Sequence, residues 1–182
     1  MATERIIMAG FGGQGVMSMG QLLTYAGMVE EKQVSWLPAY GPEMRGGTAN
    51  CSVIVSDSLV GSPIITQDAT CAIVMNLPSM LKFEKSLLPG GKLIINTSLV
   101  DRESSRDDIE VYKIPANAIA DEIGNPRVAN MVMLGAYLEL TGVVSIDAVV
   151  EALKKVYGAG KEHIIPLNKQ ALEEGAKIVR SM

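Results

Sequence analysis

Arg5-Ile6-Ile7-Met8-Ala9-Gly10-Phe11-Gly12-Gly13-Gln14-Gly15 is the stretch on which the fold turns. The apolar run Ile6 to Ala9 reads as a short buried strand of the kind found in parallel sheets covered on both faces. The glycine-rich turn leads into a helix expected from about Gly15 to Glu30, where Val16, Met19, Leu23 and Ala26 recur at helical spacing. Gly10, Gly12 and Gly15 match G-x-G-x-x-G between a strand and a helix, the context of a phosphate cradle. Such a turn lets backbone N–H groups and the positive end of the helix approach an anion. It also serves simply to pack helix on sheet, and the pattern alone leaves both readings open.

Outward from this unit the chain alternates. Strands are expected at Gln33 to Leu37, Thr48 to Ser56, Cys71 to Met75, Lys92 to Asn96 and Ile109 to Ile114. Helices are expected at Pro78 to Leu87, Pro115 to Glu122, Ala129 to Leu140, Ser145 to Tyr157 and Pro166 to Arg180, with Ser145 as an N-cap. Pro89-Gly90-Gly91 reads as a turn. Thr48 to Ser56 alternates, with Ala49, Cys51, Val53 and Val55 on one side, which suggests a partly antiparallel sheet. The fold class is α/β: a single three-layer domain over residues 1–182, with a mixed, mostly parallel sheet flanked by helices and a Rossmann-like first strand-loop-helix unit.

Composition narrows the function. The 182 residues are 48% hydrophobic and 20% charged, with a net charge of −4, which suits a folded core with apolar surface to spare for a partner. There is no basic stripe and only 4% aromatic residues, so nucleic-acid binding is set aside. Neither a signal peptide nor a membrane-spanning run is read. The two cysteines, Cys51 and Cys71, are too few to hold a four-iron cluster and suit a reducing, cytoplasmic compartment. A dinucleotide site would want an acid near the end of the second strand, yet Val34-Ser35-Trp36-Leu37-Pro38-Ala39-Tyr40 has none.

The second informative segment is Tyr40-Gly41-Pro42-Glu43-Met44-Arg45-Gly46-Gly47-Thr48-Ala49-Asn50-Cys51. Physically it is a turn-rich loop leading into a strand. Glu43 and Arg45 could pair with each other, meet a partner subunit, or stay solvated; Arg45 could also offer its planar fork to a carboxylate or phosphate.

Together, Gly10-Phe11-Gly12-Gly13-Gln14-Gly15 and Tyr40-Gly41-Pro42-Glu43-Met44-Arg45-Gly46-Gly47 resemble the gamma subunit, or gamma domain, of 2-oxoacid:ferredoxin oxidoreductases. The resemblance extends to Gly61-Ser62-Pro63, Leu88-Pro89-Gly90-Gly91 and Asn130 to Gly135. It implies a subunit of an enzyme that oxidatively decarboxylates a 2-oxoacid to its acyl-coenzyme A and passes electrons to ferredoxin. The form of the second motif is more similar to 2-oxoglutarate-type and branched-chain-type members than to pyruvate-type ones, and 2-oxoglutarate is favoured. By the resemblance, thiamine diphosphate, Mg and iron–sulfur clusters sit on alpha and beta subunits and a ferredoxin-like delta subunit, and the isolated chain binds no cofactor and is inactive. The gamma part helps position coenzyme A. Gly10, Gly12, Gly13, Gln14, Gly15 and Arg45 are the contact candidates, and Tyr40, Glu43, Met44, Gly46 and Gly47 are interface or positioning candidates. No catalytic residue and no metal ligand is assigned.

Other reactive residues favour plainer roles. His163 has no adjacent nucleophile or acid, and Cys51 and Cys71 read as inert core thiols. Asp101 to Asp108 reads as a solvated charged loop. Two other functions remain open: a purely structural assembly subunit, and a stand-alone nucleotide-binding enzyme.

Overall fold

The computed structural model describes residues 2–40 and 48–182. Six strands form one sheet: β1 (Thr3–Phe11), β2 (Gln33–Tyr40), β3 (Thr48–Ser56), β4 (Ala69–Val74), β5 (Leu87–Asn96) and β6 (Glu110–Ile114), in the order β2-β3-β1-β4-β5-β6. β4 is parallel to β1 and β5, and β6 is parallel to β5. β3 is antiparallel to both neighbours, β1 and β2. The sheet is therefore mixed and mostly parallel, as the alternation around residue 50 suggests.

Six helices cover it: α1 (Val16–Val29), α2 (Leu77–Phe83), α3 (Ala116–Ile123), α4 (Ala129–Thr141), α5 (Ile146–Tyr157) and α6 (Ile165–Arg180). Cys51, Val53 and Val55 of β3 join Ile6, Met8, Cys71 and Ile73 in a core shared with α1, α3, α4, α5 and α6. The opposite face carries Ile7, Ala72, Val74, Leu93 and Ile95, covered by Met80 of α2 and by Val100. The layers are thus unequal, one face thickly and the other thinly covered. No helix among the described residues is long and apolar enough to cross a membrane.

Local signals place the helix ends. Ser145 Oγ accepts from Ala148 N–H (3.1 Å), while Glu30 Oε1, at the far end of α1, accepts from both Ser145 N–H (2.8 Å) and Ser145 Oγ–H (2.7 Å). Gly124 and Gly142 close α3 and α4 in the left-handed conformation. α4 lacks a polar face: Asn130 to Leu138 are all buried, as expected for a helix enclosed on every side.

Some boundaries differ from the sequence reading. β1 continues through Gly10 and Phe11, and β2 runs on to Tyr40, because β3 pairs with both along its length. Pro38 is tolerated because β2 is the sheet edge. The second helix stops at Phe83 and gives way to a 3₁₀ turn, Glu84–Ser86. Pro89-Gly90-Gly91 is an irregularity inside β5, where the register with β4 shifts between Ala69–Leu87 and Cys71–Lys92. The segment 101–108 is tethered rather than simply solvated. The buried Glu84 carboxylate accepts from Ser104 Oγ (2.7 Å), Ser105 Oγ (2.6 Å) and Ser105 N–H (3.2 Å). Burial alone would raise the Glu84 pKa, but these bonds outweigh it and hold it below the usual glutamate range. Arg106 then bridges Asp108 to the carbonyls of Glu84 and Leu87.

Where α4 and α6 cross, two glycines bring backbone against backbone. A Cβ on Gly135 would lie 2.0 Å from the Leu172 carbonyl oxygen, and one on Gly175 would lie 1.9 Å from that of Val132. Backbone cannot yield there as a side-chain tip can, so Gly135→Ala or Gly175→Ala should force the helices apart. The expected loss is about 1–3 kcal/mol or more, read as a lower urea midpoint at unchanged slope; an unchanged midpoint would show that the crossing adapts freely.

Candidate functional site

The site is fixed by where the chain changes direction. After β1 the chain passes through α1 to β2 at one edge; after β4 it passes through α2 to β5 toward the other. The carboxyl ends of β1 and β4 therefore flank the point where the connections diverge, the usual crevice for ligands in open α/β sheets. Phe11 to Gly15 lies at that point.

This turn is held from within. Gln14 Oε1 accepts from the Phe11 N–H (2.6 Å), and the Gln14 N–H donates to Phe11 O (3.2 Å). Asn76, which caps α2 through Ser79 N–H (2.9 Å), also donates from Nδ2 to Gln14 Oε1 at 3.4 Å. The Gln14 side-chain oxygen thus shapes the loop. Gly15 has φ 74°, and an added Cβ would lie 2.3 Å from Asn130 Nδ2, so no other residue fits there. Asn130 Nδ2 donates to Gly15 O at 3.0 Å, and its Oδ1 accepts from Met131 N–H at 2.9 Å. One side chain ties the glycine turn to the start of α4.

The turn opens onto a cleft of about 320 Å³ lined by Phe11, Gly12, Gly13, Gly15, the first turn of α1 and Ala49. α1 has no side-chain cap and no acid in its first turn. The partial positive charge of the helix and its first N–H groups are available to an anion. Of the contact candidates, Gly12, Gly13 and Gly15 line this cleft, whereas Gly10 is buried in β1 and the Gln14 side chain is engaged within the loop.

The second motif is anchored beside it. Phe11 pairs with Thr48, and both Gly10 and Tyr40 pair with Ala49. The backbone of Tyr40 ends β2, whereas Glu43, Met44, Arg45, Gly46 and Gly47 lie outside the described residues. The sheet order bears on the dinucleotide reading. In a Rossmann site the acid-bearing second strand lies next to the first, but here β3 stands between β1 and β2.

A second hollow, about 360 Å³, lies on the far side of Asn130, with Asn125, Arg127, Lys161, His163 and Asn168 in its wall. Sequence reading gave His163 no role, did not single out Arg127 or Lys161, and mentioned Asn130 only within a family motif. The available signal was two glycine turns, Gly124-Asn125-Pro126-Arg127 and Gly158-Ala159-Gly160-Lys161, each leading basic residues into a helix. A third, more open hollow of about 460 Å³ holds Glu30 and Glu139, and its Glu30 is spent on capping Ser145. No three His, Cys, Asp or Glu side chains come together as a metal site among the described residues.

The chain matches the profile of the family Pyruvate ferredoxin/flavodoxin oxidoreductase over residues 5–178. It is 40% identical to ketoisovalerate oxidoreductase subunit VorA of Methanothermobacter marburgensis over 97% of its own length, but spans only 36% of that subunit. It is 34% identical to 2-oxoglutarate synthase subunit KorC of the same organism, covering 97% of this chain and 96% of that one. Its fold matches the gamma subunit of a keto/oxoacid ferredoxin oxidoreductase from Geobacter sulfurreducens (TM-score 0.83, 28% identity, 98% and 99% coverage). It also matches 32% of a chain of 2-oxoglutarate:ferredoxin oxidoreductase from Magnetococcus marinus, with TM-score 0.89, 23% identity and all of this chain covered.

Cys51 and Cys71 are free and buried in the sheet. Burial pushes the Cys51 thiol up to about 12 and Cys71 well above the ordinary thiol range. Both thiols should resist an aromatic disulfide reagent at pH 8 until the chain is unfolded; stoichiometric labelling of the native protein would contradict this. A raised folded pKa contributes stability that is complete below the unfolded thiol pKa, about 8.5. Stability should fall as pH rises from there toward 12, seen as a declining urea midpoint.

Proposed function

Since the chain belongs to the pyruvate ferredoxin/flavodoxin oxidoreductase family, we propose that it is the gamma part of an enzyme that converts a 2-oxoacid to its acyl-coenzyme A and reduces ferredoxin. The observation that carries this is the end-to-end likeness to a 2-oxoglutarate synthase subunit of nearly the same length. In this reading residues 1–182 act as one gamma domain in the cytoplasm. The partners are thiamine-diphosphate-binding alpha and beta subunits and a ferredoxin-like delta subunit. Those chains hold the thiamine diphosphate, Mg and iron–sulfur clusters, which supply the carbanion and electron-transfer chemistry. The relatives are named for different 2-oxoacids, which fits substrate selection by residues on other chains, with 2-oxoglutarate and branched-chain acids both within the reading.

This chain's own contribution is to hold coenzyme A. The uncapped start of α1 and the Gly12-Gly13 backbone suit a phosphate group, and Arg45, between Tyr40 and Thr48 in sequence, is the cationic candidate. The Magnetococcus marinus structure, which shares the fold, is described as having 2-oxoglutarate, coenzyme A and succinyl-CoA bound.

Two variants test the role. Arg45→Ala removes a charge-assisted contact and Gly12→Val blocks close backbone approach. Each should raise the coenzyme A KM of the assembled enzyme about ten- to a hundredfold, while reaction of the 2-oxoacid with thiamine diphosphate survives. If Arg45 instead pairs across a subunit interface, Arg45→Ala will weaken assembly in the ultracentrifuge and leave the KM of the intact complex unchanged. An unchanged KM for both variants in an intact complex leaves a purely structural subunit.

A further inference from the structure

The hollow behind Asn130 has a consistent electrostatic design. Arg127, Lys161 and His163 stand in its wall, and no carboxylate does; Glu162, between two of them in sequence, is not part of the lining. Among the described residues none of the three makes an ion pair. Two helices begin here as well. α4, 13 residues long, and α6, 16 residues long, each continue from a 3₁₀ turn, Pro126–Val128 capped by Asn125 and Glu162–Ile164 carrying Glu162. With those ends already served, the anion-attracting charge of the hollow is that of its side chains.

The polar groups are held in place. Asn125 Oδ1 accepts from the Arg127 N–H at 3.0 Å, fixing the turn that presents Arg127, and Asn168 Nδ2 donates to Ile164 O at 2.8 Å. Lys161 Nζ sits 5.7 Å from the centre of the Tyr157 ring. Asn130, only 7% exposed, uses one Nδ2 hydrogen on Gly15 and has a second donor to offer. Val128, Met131, Tyr157 and Ile164 supply an apolar wall, which suits an organic group attached to the anion rather than a bare ion.

We infer that this cavity binds an organic phosphate, with Arg127 and Lys161 as its principal anion ligands and Asn130 joining it to the glycine turn. The same chemistry could come from the nucleotide end of coenzyme A or from a separate phosphorylated ligand. The inference rests on the residues of this cavity and not on the reading of the glycine cleft.

The probe is adenosine 3′,5′-bisphosphate, which lacks the pantetheine arm, titrated calorimetrically into the full chain. Saturable binding is expected, weakened about a hundredfold or more in the double variant Arg127→Ala/Lys161→Ala. Both side chains are exposed, so the unfolding midpoint of the variant should stay at the wild-type value. Coenzyme A is then added to the bisphosphate-loaded wild type. Competition assigns the cavity to the coenzyme's nucleotide end, and simultaneous binding assigns it to a separate phosphorylated ligand; either supports the site. Absence of saturable binding, or a folded double variant with wild-type affinity, overturns it. Neither failure touches the KM test of the glycine cleft, which uses other residues and another readout.

Discussion

β3 lies between β1 and β2 and pairs with both, from Thr3–Ser56 to Phe11–Thr48 on one side and from Gln33–Ser56 to Tyr40–Ala49 on the other. That double pairing governs the rest of the architecture. It moves β2 one strand spacing outward, roughly 4.8 Å, so the end of β2 cannot serve the glycine turn as it would in a dinucleotide fold. In exchange it sets both ends of the 41–47 connection at the carboxyl edge of the sheet beside Phe11. A slip of one residue would exchange Cys51, Val53 and Val55, now packed under α1, with the opposite row. The buried row therefore fixes the register, and the register fixes what stands next to the glycine turn.

The helices make that arrangement rigid. α4 is enclosed by the sheet and its neighbours, and the paired glycines let α6 lie directly on its backbone. A helix so confined is a good base for a side chain that must be accurately placed. Asn130 is in its first turn and holds Gly15 by a partly buried bond. The start of α1 thus owes its position to packing well away from the cleft.

Much of this was legible. The first strand-loop-helix, the exact span of β3, the Ser145 cap and the glycine stops after α3 and α4 all follow from local chemistry. Less legible was whatever depends on distant partners. Gly10 is a poor strand former and Phe11 and Tyr40 adjoin glycine turns in the sequence, yet all three become strand because β3 supplies hydrogen bonds. Glu84 looks like an ordinary surface glutamate until Ser104 and Ser105 fold over it. The cavity of Arg127, Lys161 and His163 is assembled from two turns about thirty residues apart, and what marks it is basic side chains with no carboxylate in the same wall, a juxtaposition that only folding creates. The glycine motif alone left its role open; the second motif made the family recognisable.

Both ends of α1 are tied to the second half of the molecule, Gly15 to Asn130 and Glu30 to Ser145, and each link spans 115 residues. Contacts of such separation form only after a large loss of chain entropy and are typical of slow folders. The Phe11–Gln14 bonds, three residues apart, can close early, but Gly15 is locked only when α4 docks. A nascent or partly unfolded chain will therefore carry the motif without the cleft, whose shape is a late product of closing the whole core.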